Sequence, residues 1–303
     1  MPNNYNNSNN SHNILNKATS ILSNNGYTII QIFKQTKKDI VALVTHKDKK
    51  YNTITKYVAK LSTNIPPILT EIQAYNYFST NSDFANTPFF IKLINVLPNN
   101  NNDNSDICGF IMEYTKNATP LIEIESNNAK NNNITKLWWK SLLMQLIVCV
   151  NLLEKHHILH NDFWDANIMI QKYPKNRKII VDVNDNIITI PNAGFIIKVI
   201  DFQYTHQYDK NNNIVSPMVQ STKKSDKAEK LLLGWTSKWH TGGDLNQIFG
   251  ILHEYKSAPA KFKNYVAKHV HKHTSDFPYA TTKTNKWFDS EKMLDLCIND
   301  KLV

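Results

Sequence analysis

One short run of residues, 159–170, constrains this sequence more than any other, because it sets three polar side chains in a fixed frame between apolar neighbours. His160, Asp162 and Asn167 fit the pattern H-x-D-x-x-x-x-N. A carboxylate can take a proton from an attacking hydroxyl, and an amide oxygen in the same loop can hold a divalent cation on phosphate groups. The run therefore predicts a loop suited to phosphoryl transfer.

The N-terminal third of the sequence predicts a small sheet and a helix. Alternating apolar and β-branched runs are typical of strands and occur at residues 27–33, 40–44 and 57–61. Lys60 lies in the third run, so its amine could project toward phosphate groups or lie at a strand edge. Residues 66–78 begin with proline and repeat apolar residues at helical spacing, which predicts a helix that carries Glu71.

These motifs together resemble those of the protein-kinase superfamily. Residues 160–167 are similar to its catalytic loop, and residues 57–60 are similar to its V-A-x-K strand. Residues 198–203 look like a strand that ends in the Asp-Phe-Gly metal motif, with Gln203 where glycine usually stands. The alternative is that the two aspartate motifs are ordinary buried strands that end in polar turns.

The resemblance implies a role for each matched side chain. Asp162 would be the catalytic base, and Asn167 with Asp201 would hold Mg²⁺. Lys60 would position the phosphates of ATP and would be held by Glu71. The alternative for Glu71 is a solvated residue in the first turn of its helix.

Two further matches concern the backbone. A predicted strand at 107–114 resembles the last strand of the kinase N-lobe, where a hinge would meet the adenine edge through Glu113, Tyr114 and Thr115. Asp244 begins a predicted helix, and the resemblance implies that it braces the catalytic-loop backbone. An ordinary helix N-cap is the alternative for Asp244.

Three departures from the kinase pattern bear on nucleotide binding, regulation and substrate. Residues 34–39, which would cover the phosphates, contain no glycine, although glycine lets backbone amides approach phosphates closely. Asn161 stands where regulated kinases have an arginine that reads a phosphorylated activation loop, so we expect an enzyme that needs no such phosphorylation. Trp164 stands where serine/threonine kinases usually have lysine.

The expected fold is α+β and two-lobed, with a small β-rich N-lobe and a mainly helical, truncated C-lobe. The expected divisions are a disordered or loosely helical lead at 1–26, an N-lobe at 27–115 and a C-lobe at 116–303. A long predicted hairpin before Asp201 and a short remainder after the helix at Asp244 resemble haspin-like kinases and kinases of large DNA viruses. The heavy use of asparagine also suggests an AT-rich genome, such as that of a large DNA virus or certain protists.

The expected reaction is transfer of the γ-phosphoryl group of ATP to serine or threonine hydroxyls of proteins, with Mg²⁺ as cofactor. One alternative is a small-molecule kinase, because the motifs at 160–162 and 200–204 are also similar to those of choline kinases, and choline and aminoglycoside kinases share the fold. The other alternative is a catalytically dead pseudokinase that acts as a scaffold, which the glycine-free loop favours.

Composition limits the partners and the compartment. The 303-residue chain carries a net charge of +10, which favours anionic partners such as an acidic protein substrate of viral or host origin. No basic block on one face indicates nucleic acid, so nucleic-acid binding is not expected. Three separated cysteines predict a reducing compartment without disulfides or zinc.

The sequence also bears on location. It carries no signal-peptide core and no apolar run of about 18 residues. We therefore expect a protein without a membrane span that is not secreted. The expected location is the cytoplasm or nucleus of a host cell, or a virion. The sequence leaves the oligomeric state open.

Overall fold

The chain divides into two compact units in a computed structural model. The described residues are 7–48, 50–97, 107–128, 134–183, 186–211, 213, 215, 243–271, 281–282 and 288–303. The first unit comprises residues 1–80 and 91–115, and the second comprises residues 81–90 and 116–303. The class is α+β, with a small antiparallel sheet in the N-terminal region and most helices later in the chain.

The first unit is built on a five-stranded antiparallel sheet. Its strands are β1 (Tyr27–Gln35), β2 (Asp39–Asp48), β3 (Thr53–Ser62), β4 (Leu93–Leu97) and β5 (Cys108–Glu113). The strand order is β1-β2-β3-β5-β4. The helices are α1 (Asn7–Asn24) and α2 (Ile65–Thr80). Strands β1, β2, β3 and β5 and helix α2 lie at the predicted positions, which confirms the sequence interpretation of this region.

The lead at residues 1–26 was expected to be disordered or loosely helical, and residues 7–24 of it form helix α1. Ile14, Ala18 and Leu22 recur at a spacing of four, which gives the helix one apolar face. All three side chains are buried in a core with residues of the sheet. Burial of an isoleucine or leucine side chain contributes about 1.5–3 kcal/mol. That burial stabilises α1 despite its many asparagines.

A glycine sets the approach of β5 to β3. Gly109 pairs with Leu61, and a Cβ at Gly109 would lie 2.7 Å from the backbone oxygen of Lys60. A contact that short forces the backbone to shift. The glycine therefore permits the close pairing that fixes the backbone of Lys60.

The second unit contains helices interspersed with short strands. Its helices are α3 (Ser82–Ala85), α4 (Leu121–Asn128), α5 (Lys136–Lys155), α6 (Gly243–Leu252), α7 (Ala260–His269) and α8 (Ser290–Ile298). Its strands are β6 (Thr119–Pro120), β7 (Ile158–Leu159), β8 (Ile168–Lys172), β9 (Ile179–Val183), β10 (Asn186–Ile190), β11 (Phe195–Val199), β12 (His206–Gln207), β13 (Val270–His271) and β14 (Thr281–Thr282).

Helix α5 forms the centre of the second unit. Its N-terminus is capped by Thr135, whose side chain accepts a hydrogen bond from the amide of Trp138. Nearly every residue from Trp139 to Leu153 is buried. Among the described residues it is also the one helix long and apolar enough to cross a membrane, and 78% of its apolar stretch is buried inside the protein.

Antiparallel pairing places the two predicted aspartate motifs side by side. Strands β11, β8 and β6 form one sheet in that order. Val199 at the end of β11 pairs with Ile168 at the start of β8. The residues just after β11 therefore lie beside the residues just before β8. The predicted hairpin is confirmed as β9 and β10.

The boundaries of the units differ from the predicted lobes at one internal segment. Both divisions place a border after Thr115, but residues 81–90 belong to the second unit. The reason is hydrogen bonding at the end of this segment. Phe90 forms a parallel bridge with Val199, and the amide of Val199 donates to the carbonyl oxygen of Phe89 over 2.9 Å.

Candidate functional site

The central loop, residues 160–167, runs from β7 to β8 in the second unit. Asp244 on α6 braces its backbone: the carboxylate accepts hydrogen bonds from the amides of His160, over 2.8 Å, and Asn161, over 2.9 Å. The Asp244 side chain is buried, and burial raises its pKa to about 6 although the two amide bonds oppose the shift. Of the two alternatives for Asp244, the brace is the one observed.

Gln247 is a second brace, which the sequence analysis missed. Its side-chain oxygen accepts from the amide of Phe163 over 2.9 Å, and its nitrogen donates to the carbonyl oxygen of Asn161 over 3.1 Å. It lies three residues after Asp244, hence on the same face of α6. That spacing is the only signal in the sequence that points to it.

His160 links the central loop to the residue before Asp201. The amide of Asp162 donates to Nδ1 of His160 over 3.3 Å, so Nε2 carries the proton that it donates to the carbonyl oxygen of Ile200, 3.0 Å away. Burial lowers the pKa of His160 to about 4. A neutral, buried imidazole with both nitrogens bonded holds the loop in place and does not itself exchange protons near neutral pH.

Asp162 is the half-buried carboxylate at the centre of the loop. The Asn167 side-chain nitrogen donates to both its backbone oxygen and its carboxylate oxygen, each over 2.9 Å. The side chain of Trp164 also hydrogen-bonds the carboxylate. Burial, followed by the charge of Asp201, raises the pKa of Asp162 to about 6, against the two side-chain bonds that lower it. The carboxylate is therefore a stronger base than an ordinary aspartate and is still mostly ionised at neutral pH.

Asp201 is brought next to Asn167 by the backbone. The amide of Ile200 donates to the carbonyl oxygen of Asn167 over 3.0 Å. Asp201 has a φ of 66° and Asn161 a φ of 62°, both in the left-handed region. Such a conformation costs a non-glycine residue about 1–3 kcal/mol and is concentrated at functional sites. Two strained residues so close to Asp162 mark this part of the molecule as a candidate site.

Asn161 also fixes the start of the segment that follows Asp201. Its side-chain nitrogen donates to the carbonyl oxygen of Tyr204 over 3.1 Å. The short strands β7 and β12 then pair, with Leu159 opposite His206. The residues just after Asp201 are thus held by hydrogen bonds between uncharged groups. Most of the predicted activation segment, residues 216–240, lies outside the described residues.

Oxygen atoms of Asn167 and Asp201 could hold a divalent cation. The side-chain nitrogen of Asn167 is turned to Asp162. This leaves the side-chain oxygen of Asn167 for a ligand. Among the described residues, no group of three or more histidine, cysteine or acidic side chains could hold a metal ion. Mg²⁺ commonly binds one or two protein carboxylates and completes its shell with phosphates and water. The donor set therefore fits a cation that arrives with phosphate groups.

Tyr255, also missed by the sequence analysis, reaches the same loop from the turn after α6. Its hydroxyl donates to the carboxylate of Asp165 over 2.6 Å, and both side chains are buried. The two residues are 90 positions apart in the chain, so no local pattern could have paired them.

The first unit contains the predicted lysine and glutamate as an ion pair. The ammonium nitrogen of Lys60 on β3 lies 2.5 Å from a carboxylate oxygen of Glu71 on α2. Glu71 is 1% exposed and Lys60 is 14% exposed. Removing one partner of a buried pair leaves an uncompensated charge, which is strongly destabilising. Because the Glu71 side chain is buried in this ion pair, the solvated alternative for Glu71 is excluded.

The glycine-free turn between β1 and β2 is closed by its own side chains. The Thr36 hydroxyl accepts from the amides of Lys38, over 3.1 Å, and Asp39, over 2.9 Å. The Asp39 carboxylate in turn accepts from the Ser62 hydroxyl over 2.6 Å. The two amides are thus engaged inside the turn, whereas a glycine-rich loop presents such groups to phosphates.

The predicted hinge residues follow the end of β5. The amide of Glu113 donates to the carbonyl oxygen of Lys92 over 3.0 Å, and Glu113 pairs with Tyr57 on β3. Tyr114 and Thr115 are half-buried beyond the strand. The three predicted adenine contacts, Glu113, Tyr114 and Thr115, therefore lie in the same unit as the ion pair of Lys60.

A scan against protein-family models finds no match to this chain, and a search of curated proteins finds none either. Geometry and chemistry of the described residues are thus the basis for a functional proposal.

Proposed function

We propose that this protein is a kinase that transfers the γ-phosphoryl group of ATP to serine or threonine hydroxyls of proteins. One observation carries the proposal. The Asn167 amide is hydrogen-bonded to the carboxylate of Asp162, in a loop whose backbone is fixed by Asp244. A carboxylate that could accept a proton, bonded to a side chain whose oxygen could bind a cation, supports phosphoryl transfer.

The proposed roles follow from the chemistry of each side chain. Asp162 accepts the proton of the attacking hydroxyl as the new O–P bond forms and the bond from the γ-phosphorus to the bridging oxygen breaks. Asn167 and Asp201 would hold Mg²⁺, which neutralises charge on the phosphates when bound. Lys60, held by Glu71, would bind phosphate oxygens of the nucleotide.

The proposal extends to the fold and to the relatives it implies. The first unit would be the N-lobe and the second the C-lobe of a protein-kinase-like fold, of the kind found in haspin-like and large-DNA-virus kinases. The net charge of +10 supports an anionic partner, such as ATP or an acidic protein substrate. The contact from Asn161 to Tyr204 supports activity without activation-loop phosphorylation.

A small-molecule kinase is the second candidate. Trp164, which stands where a protein kinase usually has lysine, hydrogen-bonds the carboxylate of Asp162. An indole beside the base offers an apolar face and no positive charge, which suits a small organic acceptor better than a lysine would. The two candidates share the transfer chemistry and differ in the acceptor.

The test uses protein made in bacteria, treated with phosphatase and freed of it. It is incubated with Mg²⁺ and ATP labelled on the γ-phosphate, together with casein, histone, choline or an aminoglycoside. We expect label on serine or threonine of a protein acceptor. Label on a small molecule alone would favour the second candidate. Stabilisation by Mg-ATP without any transfer would indicate a pseudokinase, and activity that requires prior phosphorylation would contradict the proposed regulation.

A further inference from the structure

Asp165 is an acidic side chain of the central loop that the proposed mechanism does not use. It lies between the base Asp162 and the cation ligand Asn167, and it is 6% exposed. A buried carboxylate is costly unless its oxygens are hydrogen-bonded. The hydroxyl of Tyr255 donates to one of these oxygens over 2.6 Å. Burial raises the pKa of Asp165, and the bond from Tyr255 and the neighbouring backbone amides oppose that shift.

The carboxylate of Asp165 organises the turn that delivers Asn167. Residues Asp165–Asn167 form a 3₁₀ turn, in which the amide of Asn167 donates to the carbonyl oxygen of Trp164 over 2.9 Å. The bond from Tyr255 to Asp165 holds its start. At its end the side chain of Asn167 reaches back to Asp162.

Tyr255 is itself held firmly. Its amide donates to the carbonyl oxygen of Leu252 at the end of α6, over 3.1 Å, and its own carbonyl oxygen accepts from the amide of Ala258 over 3.1 Å. Its ring contacts that of Trp139 on the buried helix α5 edge-on, with centroids 6.2 Å apart. The hydroxyl therefore approaches Asp165 from a fixed direction.

We propose that Tyr255 is a positioning residue, which through its hydrogen bond to Asp165 holds the 3₁₀ turn so that the side-chain nitrogen of Asn167 stays on Asp162 and its side-chain oxygen would be available to a cation. The inference rests on the proposed function for its effect on transfer. Its effect on the loop does not depend on that function.

The decisive variant is Tyr255→Phe, which removes one oxygen atom and keeps the ring against Trp139. Hydrogen–deuterium exchange of the amides at 165–168 should accelerate at least about tenfold, while exchange in α5 stays as in the parent, because the 3₁₀ turn loses its outside anchor. The Mg²⁺ concentration for half-maximal transfer should rise severalfold, and kcat should fall with the KM of the acceptor unchanged. Tyr265→Phe, the same change in the ring that packs on Phe288, should alter none of these.

Asp165→Asn is the second variant, and it is needed should Tyr255→Phe not fold. Its amide oxygen can still accept from the Tyr255 hydroxyl, so loop exchange should stay closer to the parent than in Asp165→Ala. In the double variant Asp165→Ala with Tyr255→Phe, kcat should fall by less than the product of the two single effects, because each single change removes the same contact.

A lower melting temperature of Tyr255→Phe with unchanged loop exchange and unchanged Mg²⁺ dependence would overturn the inference, since a residue that only packs gives that result. If the parent transfers no phosphate, the proposed function fails. Faster loop exchange in Tyr255→Phe but not in Tyr265→Phe would still support the positioning role, and equal exchange would refute it.

Discussion

The central loop and the turn between β1 and β2 are both polar segments closed by bonds from side chains to backbone, but their partners come from different distances along the chain. In the turn, Thr36 bonds amides two and three residues away. In the loop, Asp244 and Gln247 bond backbone groups more than 80 residues away. The turn is a local structure, whereas the loop requires the folded second unit.

The difference predicts how each segment responds to substitution. A change in a distant brace releases several groups of the loop together, including the surroundings of Asp162. A change in the turn releases two amides that are bonded within the turn itself. Effects on transfer should therefore be large for the loop and its braces and small for the turn.

Loss of the second cation ligand should have the largest effect on nucleotide binding. In Asp201→Ala the carboxylate that a hard cation needs is gone. At a ligand concentration of 100 times Kd, Mg-ATP should stabilise the parent by about 2.7 kcal/mol, which raises its melting temperature by roughly 5 °C. The variant should lose this shift in a thermal melt. Asp182→Ala, an exposed aspartate on β9, is the control, and an unchanged shift in Asp201→Ala would remove Asp201 from the site.

Asp244→Asn tests the distant brace through pH. The pKa of Asp244 is about 6 in the folded protein, above its ordinary value of 3.8. Its contribution to stability is therefore full below pH 3.8 and is lost as the pH rises through 6. At about 1.4 kcal/mol per pKa unit, this loss is about 3 kcal/mol.

Asparagine does not titrate, so the stability advantage of the parent over Asp244→Asn should shrink by most of that amount between pH 4 and pH 7. Urea unfolding at the two pH values measures it, with Asp182→Asn as the control. The variant should also transfer phosphate more slowly. The side-chain oxygen of asparagine can accept from one backbone amide of the loop, but its NH₂ group cannot accept from the other. An advantage that grows with pH would mean that Asp244 is not held with a raised pKa.

Much of the site could be predicted from the sequence because its motifs are local. The frame of Asp162 and Asn167 lies within one loop, and the pair of Lys60 and Glu71 joins a strand to the helix that follows it. Hydrogen bonds between residues far apart in the chain leave no local pattern, so the bond from Tyr255 to Asp165, 90 residues apart, could not be predicted. For helix α1 the sequence left order open, since its asparagine content suggests disorder while a few apolar residues, among them Ile14, Ala18 and Leu22, fix it in the core.

Thr36→Val tests the local turn and should have the smallest effect. Valine keeps the shape of threonine but cannot accept the two amide protons, so the free energy of unfolding should fall by about 1 kcal/mol. Transfer should stay within about twofold of the parent, measured with the same labelled ATP. Thr28→Val, at an exposed position of β1, controls for the change of residue type. A loss of transfer as large as that in Asp244→Asn would erase the contrast between turn and loop.

The most direct test of the central claim is the rate of γ-phosphoryl transfer by Asp162→Asn. The variant keeps the shape of the side chain and removes the proton acceptor, which typically costs about 10²- to 10⁴-fold in rate. We predict a loss in this range while the circular dichroism spectrum and the melting shift with Mg-ATP remain near those of the parent. Transfer by Asp162→Asn at the rate of the parent would contradict the account.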